Sequence, residues 1–363
     1  MAEQLNVALT PIQQDNLETL KQQWLKLEHN ANNSIFTHWY FIATWLAFIN
    51  YKGKLLTVSF KGDIIGLAIL TENTLFKNGV KVKQLWLNRT GDPKLDQIWN
   101  EYNDILCEKG LEYSIRGAVI NFFETELTTF DELIIGVSIE NIKETPRSHK
   151  IMPHVSWQAV SYQTDLKLEY KNWQCFIKSL SANTRYQIKR SAKLFGGIDN
   201  LKINAAKNAE EAVNFLVEAG KLHKIRWKNQ NSGFENDKFV EFHQQFIKQN
   251  FHLNVIDVLE ISTPEQAICY LYNFRYENKV YFYLSGIKYS KDNKLKPGLL
   301  AHSLAISYYA DQGFKYYDFM GGEGRYKESL SNTKGSLIVV NFRRKTVPFL
   351  ISRILNKIRS SCA

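Results

Sequence analysis

Helical and strand periodicities recur in the same order in both halves of the chain: two helical stretches, a strand pair, a further helix and a strand. A spacing of 3.6 and a spacing of 2 each create a face that must be buried. A chain that carries both repeatedly has to pack helices against sheets. The order is not strict strand-helix-strand alternation, so the fold class expected is mixed α/β (α+β), with two tandem domains that are each a twisted mixed sheet flanked by helices. A length of 363 residues suits two domains of ordinary size. The second series of elements begins near Trp157, which places the domains at 1–156 and 157–363.

In the first half, helical patterns cover Asp15 to His29 and the aromatic stretch to Phe48, with Thr37 as its cap. Leu55 to Phe60 and Ile64 to Leu70 flank Lys61-Gly62-Asp63, which is a hairpin signal. Lys81 to Leu87 reads as a strand, Pro93 to Lys109 as a helix stopped by Gly110, and Ala118 to Phe123 and Leu133 to Ile139 as later strands. In the second half, strand-like Trp157 to Asp165 precedes helices at Tyr170 to Leu180 and Ser181 to Phe195, the second ended by Gly196-Gly197. Leu201 to Ala205 is a strand, Ala209 to Trp227 and Asn236 to Asn250 are helices, and Leu253 to Ile261, Ala267 to Tyr276 and Lys279 to Tyr289 are strands. A helix from Pro297 to Asp311 stops before Gly313, followed by strands at Phe314 to Met320 and Gly335 to Arg343.

The 46 basic and 36 acidic residues leave a net charge of +10, which favours anionic partners such as phosphorylated cofactors, RNA or a lipid surface. Four cysteines lie far apart without CxxC spacing, and the histidines show no HxxxH or HxH pairing, so no disulfide framework and no metal site are expected. That usage fits a reducing, cytosolic setting. Met1 to Asn16 lacks the pattern of a secretory signal, and the most apolar stretch, Ile35 to Ile49, falls short of a membrane span. The tail from Pro348 to Arg359 is basic and amphipathic, which suits a helix packed on the domain or attachment to the inner face of a membrane. No GxSxG elbow is present and Cys269 falls within an expected apolar strand, so a nucleophilic serine or cysteine has little support.

Several pieces of the second half match one pattern in order and spacing. They are Leu180-Ser181-Ala182-Asn183-Thr184-Arg185 with Lys189-Arg190, Leu222-His223 with Arg226-Trp227, Tyr283-Leu284-Ser285-Gly286, Lys296-Pro297-Gly298-Leu299-Leu300, and Asp318-Phe319-Met320-Gly321-Gly322-Glu323 with Tyr326-Lys327. Together they resemble the catalytic domain of bacterial acetyltransferases of the CelD (cellulose-biosynthesis, BioF2-like) type, a branch of the GNAT acyltransferase superfamily related to the Fem peptidoglycan aminoacyltransferases. The resemblance covers residues 157–340 well. It is thinner in the first half, where it rests on Phe36 to Phe48, the Gly66 strand and Asn88-Arg89-Thr90-Gly91-Asp92.

The resemblance implies two GNAT-like domains, the first degenerate, with an acyl donor entering between two splayed strands of the second. Acetyl-CoA or another acyl-CoA is the implied co-substrate, and an amine, such as an amino sugar or another polysaccharide or cell-envelope precursor, the implied acceptor. Ser285, Gly286, Lys296, Pro297, Gly298, Leu299 and Leu300 become candidates for holding the donor, because Pro and Gly at a helix start leave amides that receive a pyrophosphate. The usual Q/R-x-x-G-x-G/A loop is replaced by Asp292 to Gly298, where one glycine remains.

Acyl transfer to an amine needs a base and a donor to the developing oxyanion. Asp318 and Glu323 are the acidic candidates. Asp318 ends an apolar strand where desolvation would raise its pKa, and it reads equally as the cap of a helix at Glu323 to Ser331; Glu323 also reads as an ordinary first-turn acid. Tyr326 is a candidate acid and Lys327 a candidate acceptor-side cation, while each also suits packing or a solvated surface. Arg185, Lys189 and Arg190 share a helical face, as do His223 and Trp227; these are candidates for substrate binding, or a solvated basic face and a packed core histidine.

Three functions remain open on the sequence: an acyl-CoA-dependent acyltransferase, an aminoacyl-tRNA-dependent transferase of the Fem kind, and a non-catalytic scaffold that binds glycans or membranes.

Overall fold

The computed structural model describes residues 5–31, 33–77, 79–145, 148–228 and 232–345. In chain order the elements begin with β1 (Asn6–Pro11), α1 (Leu17–Glu28), α2 (Trp39–Phe48), β2 (Lys54–Phe60), β3 (Asp63–Lys77), β4 (Val80–Leu87), β5 (Leu106–Cys107), α3 (Glu112–Thr125) and β6 (Glu132–Ile139). They continue with β7 (Ile151–Asp165), α4 (Trp173–Ser179), α5 (Ala182–Leu194), β8 (Lys202–Ala205), α6 (Ala209–Arg226), α7 (Asp237–Asn250), β9 (Ile256–Ser262), β10 (Ala267–Tyr276) and β11 (Lys279–Ile287). The last are α8 (Pro297–Asp311), β12 (Tyr316–Gly321), α9 (Arg325–Leu330) and β13 (Thr333–Arg344). The class is mixed α/β, and the chain forms two compact units: Met1–Gln158 with the described residues from Leu337 onward, and Ala159–Ser336.

In the first unit the strands follow the order β1-β2-β3-β4-β6-β13, with β5 on β3. Lys61 and Gly62 both adopt positive φ, at 53° and 94°, so the β2–β3 connection is the two-residue turn whose twist suits a hairpin. Helix α3 buries Ile115, Val119, Ile120 and Phe123 against this sheet. Strands β4 and β6 run parallel through Gln84↔Glu132, Leu85↔Leu133 and Trp86↔Ile134. Beyond those rungs a fully buried Asn103 joins the two strands. Its side-chain amide donates to the carbonyls of Leu87 (2.8 Å) and Gly136 (3.0 Å), its Oδ1 accepts from Asn88 Nδ2 at 3.0 Å, and its backbone N–H donates to Val137 at 2.7 Å.

Three sequence expectations fail in this unit. Pro93 to Lys109 is not a helix: Trp99 and Tyr102 hold positive φ, and the Asn100 and Asn103 side chains bond to the backbone around them, so the segment is a loop with one short 3-10 turn and β5. Ala118 to Phe123 is not a strand but the second half of α3, because a short apolar run looks alike in a buried helix and a buried strand. Thr37 does not cap α2; His38 does, its ring accepting from the Tyr40 N–H at 3.3 Å. The tail expected at Pro348 to Arg359 lies outside the described residues.

In the second unit the strands follow the order β7-β12-β11-β10-β9-β8, parallel only between β11 and β12. One face carries α4, α5 and α8, where Val280, Phe282, Tyr317 and Phe319 pack with Leu300, Ala301, Leu304 and Ala305. Successive strand residues point to opposite faces. Tyr283 therefore meets α7 on the other face, where His243 Nε2 lies 3.0 Å from its hydroxyl. Helix α6 also lies on that face, so close to β11 that a Cβ at Gly286 would stand 2.3 Å from the Ala219 Cα. Among the described residues no helix is long and apolar enough to cross a membrane.

Candidate functional site

The site is built on a divergence of two parallel strands. β11 and β12 pair only at Lys279↔Tyr316, Val280↔Tyr317 and Tyr281↔Asp318; beyond that point β11 stays paired with β10 and β12 with β7, but not with each other. Both strands bend there: β11 carries an extra residue, Tyr283, against β10, and β12 bends as well. The register of β12 against β7 shifts between Asp318 and Met320, and Met320 adopts a φ of 61°, a bulge that turns the strand. Asp318, 2% exposed, holds that bulge: its Oδ1 accepts from the Met320 N–H at 2.7 Å and its Oδ2 from Lys279 Nζ at 3.3 Å. Both carboxylate oxygens are engaged at the last rung, so this residue shapes the opening from its base. It does not cap the following helix, because α9 begins at Arg325 behind Gly324.

The first turn of α8 lies beside the end of β11. Pro297 occupies the first turn, and a Cβ added to Gly298 would stand 3.0 Å from Ile287 Cδ1. Helix starts leave amides without an intrahelical partner; here the N–H groups of Gly298 and Leu299 face that situation next to the strand gap, under the positive end of the helix dipole. Two residues of α5 fasten the preceding loop. The Ser191 hydroxyl accepts from the Lys296 N–H at 2.9 Å, and the Arg190 guanidinium donates to the Lys294 carbonyl at 3.1 Å and 3.3 Å. Ser285 lies half-buried on β11, whereas Leu300 is fully buried in the core and Gly286 is fixed by the approach of α6.

The other rim comes from α9. Lys327 Nζ donates to the Gly321 carbonyl at 2.5 Å, tying the helix to the end of β12. Tyr326 stacks on His302 of α8 with ring centroids 5.1 Å apart and 14° between planes. Burial, with smaller contributions from Tyr289 and Cys269, pushes the Tyr326 phenol well above its usual range, so it keeps its proton at neutral pH. Glu323 is exposed in the connection between β12 and α9.

The remaining candidates sit apart from this opening or act on backbone. Arg185 donates to the carbonyls of Lys178 (3.0 Å) and Leu180 (3.4 Å), closing the α4–α5 corner. His223 Nδ1 lies 2.8 Å from the Ser232 hydroxyl and its ring 6.0 Å from that of Trp227; burial pushes the imidazole down to about 4. Sequence reasoning missed Lys279, Ser191 and His302. His302 is fully buried, with Nδ1 3.0 Å from the Tyr317 hydroxyl. A lone histidine in an otherwise apolar helix carries no sequence signal that separates packing from function.

Residues 182–328 match the family model described as an acetyltransferase (GNAT) domain. No curated protein matches the sequence. Among solved structures, the chain is similar to FemX at a TM-score of 0.58 and 9% identity, covering 95% of this chain and 100% of that one. It is similar to a conserved protein of unknown function from Bacteroides thetaiotaomicron at a TM-score of 0.53 and 9% identity, covering 94% and 100%. It is also similar to the C-terminal domain of a putative lysylphosphatidylglycerol synthetase from Agrobacterium fabrum at a TM-score of 0.51 and 7% identity, covering 94% and 95%. At these identities the likeness is one of fold.

Proposed function

Because residues 182–328 match the model of an acetyltransferase (GNAT) domain, we propose that the chain transfers an acyl group, acetyl in the first instance, from an acyl-coenzyme A thioester to an amine. The observation that carries this reading is the three-rung pairing of β11 with β12, with the first turn of α8 at the open end of the gap. A thioester arm fits between strands that have lost each other as partners, and its pyrophosphate fits the unpaired amides of the helix start. The fit is partial in one respect: only Gly298 is available where several glycines would expose more amides. The exposed Lys291 and Lys294 supply positive charge nearby.

In the proposed reaction the amine nitrogen attacks the carbonyl carbon, the C–N bond forms and the C–S bond breaks. We assign the amine proton to Glu323 and the proton taken up by the departing thiolate to Tyr326, which burial keeps protonated. The acceptor class we favour is an amino sugar or another polysaccharide or cell-envelope precursor, on the CelD-type resemblance. The first unit reads as a degenerate copy: it too has a parallel strand pair held by three rungs, but Asn103 closes the space beyond them.

A second reading, with an aminoacyl-tRNA as donor, is favoured by one surface. Arg226 lies 4.7 Å over the Tyr289 ring, and Ile225, Trp227 and Tyr289 are 74%, 42% and 52% exposed, a cation–aromatic patch suited to unpaired bases. Thiol release from acetyl-CoA across a panel of amino sugars and amines separates the readings. Amine-dependent release, lowered ~100-fold in Tyr326→Phe, supports the first. Transfer only from charged tRNA, weakening steeply with salt, supports the second. Inactivity with both donors overturns both and leaves a glycan- or membrane-binding scaffold.

A further inference from the structure

One nitrogen in the aromatic floor of the strand gap has no partner. Phe282 and Phe319 are the first residues past the last rung of β11 and β12, and the His302 ring lies between them, with centroids 4.4 Å and 5.3 Å away. Tyr326 covers the ring by stacking. His302 thus stands where the two strands begin to part. Its Nδ1 is bonded to the Tyr317 hydroxyl, while its Nε2, fully buried, has no hydrogen-bond partner. A buried polar atom left unpaired destabilises a fold, and such an atom at the start of an opening calls for a partner supplied from outside.

The chemistry of that nitrogen is set by its surroundings. Burial, aided by the positive charge of Lys327, pushes the imidazole down to about 3, so it is neutral at physiological pH. Burial pushes the Tyr317 phenol up, so its hydroxyl keeps its proton; of the two tautomers that the 3.0 Å contact allows, we assign the one in which this hydroxyl donates to Nδ1. The single proton of the neutral ring is then on Nε2. A neutral N–H in a dry aromatic floor suits an oxygen that gains negative charge during a reaction.

Resting on the acyltransferase reading above, we propose that His302 is a catalytic residue whose Nε2–H donates to the carbonyl oxygen of the acyl group held in the gap. The imidazole keeps its proton throughout: the amine nitrogen bonds to the carbonyl carbon, the thiolate leaves, and the carbonyl oxygen carries the transient charge against Nε2–H.

The test compares His302→Phe and His302→Gln in the full chain. In His302→Phe, kcat for amine-dependent release from acetyl-CoA falls about 100-fold or more, KM for the donor changes little, and the melting temperature is held or raised. His302→Gln restores an N–H and recovers at least about tenfold of that loss. With acetyl-CoA labelled at the carbonyl, difference infrared spectra show the bound carbonyl stretch at lower wavenumber in the wild type than in His302→Phe. Wild-type kcat in His302→Phe, or the same carbonyl frequency in both, overturns the assignment. If His302→Phe does not fold, the wild-type spectrum against that of His302→Gln decides it: an unshifted wild-type carbonyl, relative to free donor, overturns it. A wild type that turns over no thioester donor overturns the acyltransferase reading instead.

Discussion

Replacing Gly286 by alanine separates packing from ligand contact at a position that the sequence places among the donor-binding candidates. A Cβ there would lie 2.3 Å from the Ala219 Cα, 2.4 Å from its carbonyl oxygen and 2.7 Å from its carbonyl carbon. All three atoms are helix backbone and cannot rotate aside. To reach an ordinary contact of 3.4 Å, α6 must retreat from β11 by about 1 Å. Strain of this kind costs about 3 kcal/mol, the upper end for an extra methyl group, because backbone must give. For a unit of this size the melting temperature should fall by about 6–12 °C. Thermal melts followed by circular dichroism, with donor KM measured at low temperature, check it. A drop in melting temperature with KM near the wild-type value is expected. Unchanged stability with lost donor affinity would refute the packing argument and put Gly286 in the donor site.

Stability should fall in acid through the buried histidines. His243 and His302 are pushed from 6.5 to about 3, so the unfolded chain binds more protons over that window; their contribution is complete above pH 6.5 and is lost as pH falls toward 3. At pH 5 each costs about 2 kcal/mol. Glu28 in the first unit, pushed up to about 7 by burial, acts in the opposite sense, so the comparison to make is between wild type and His302→Phe. Urea midpoints from pH 7.5 to 4.5 should fall less steeply in the variant, and identical slopes would contradict the argument. Asn103→Ala leaves the carbonyls of Leu87 and Gly136 and the Asn88 amide without that partner, and should cost about 3 kcal/mol while leaving kcat per folded molecule unchanged. Native mass spectrometry of the wild type should show one donor per chain; a second bound donor would contradict the closed first unit.

How far the sequence was readable depends on the range of the physics. Helix α8 is legible from end to end, since Pro297 starts it and Gly313 follows its stop. The Lys61-Gly62 turn is legible for the same reason: its chemistry is local. The loop at 93–109 defeats periodicity because left-handed residues and asparagine side chains, not apolar spacing, decide its path. The site divides along the same line. Pro297, Gly298, Tyr326 and Lys327 belong to local motifs that the fold sets around the gap. The role of Asp318 depends on Lys279, a residue 39 positions away, and on a bulge at Met320. The constraint on Gly286 comes from Ala219, and the unpaired nitrogen of His302 becomes visible only when β11, β12 and α9 surround it.

Hydrogen–deuterium exchange of the whole chain with and without acetyl-CoA tests the donor gap most directly. Protection confined to the end of β11 from Ser285, the first turn of α8 at Gly298 to Leu300, and the end of β12 at Phe319 to Gly321 is the predicted result. No change at any of these, or protection centred on the Asn88 to Cys107 loop of the first unit, would contradict it.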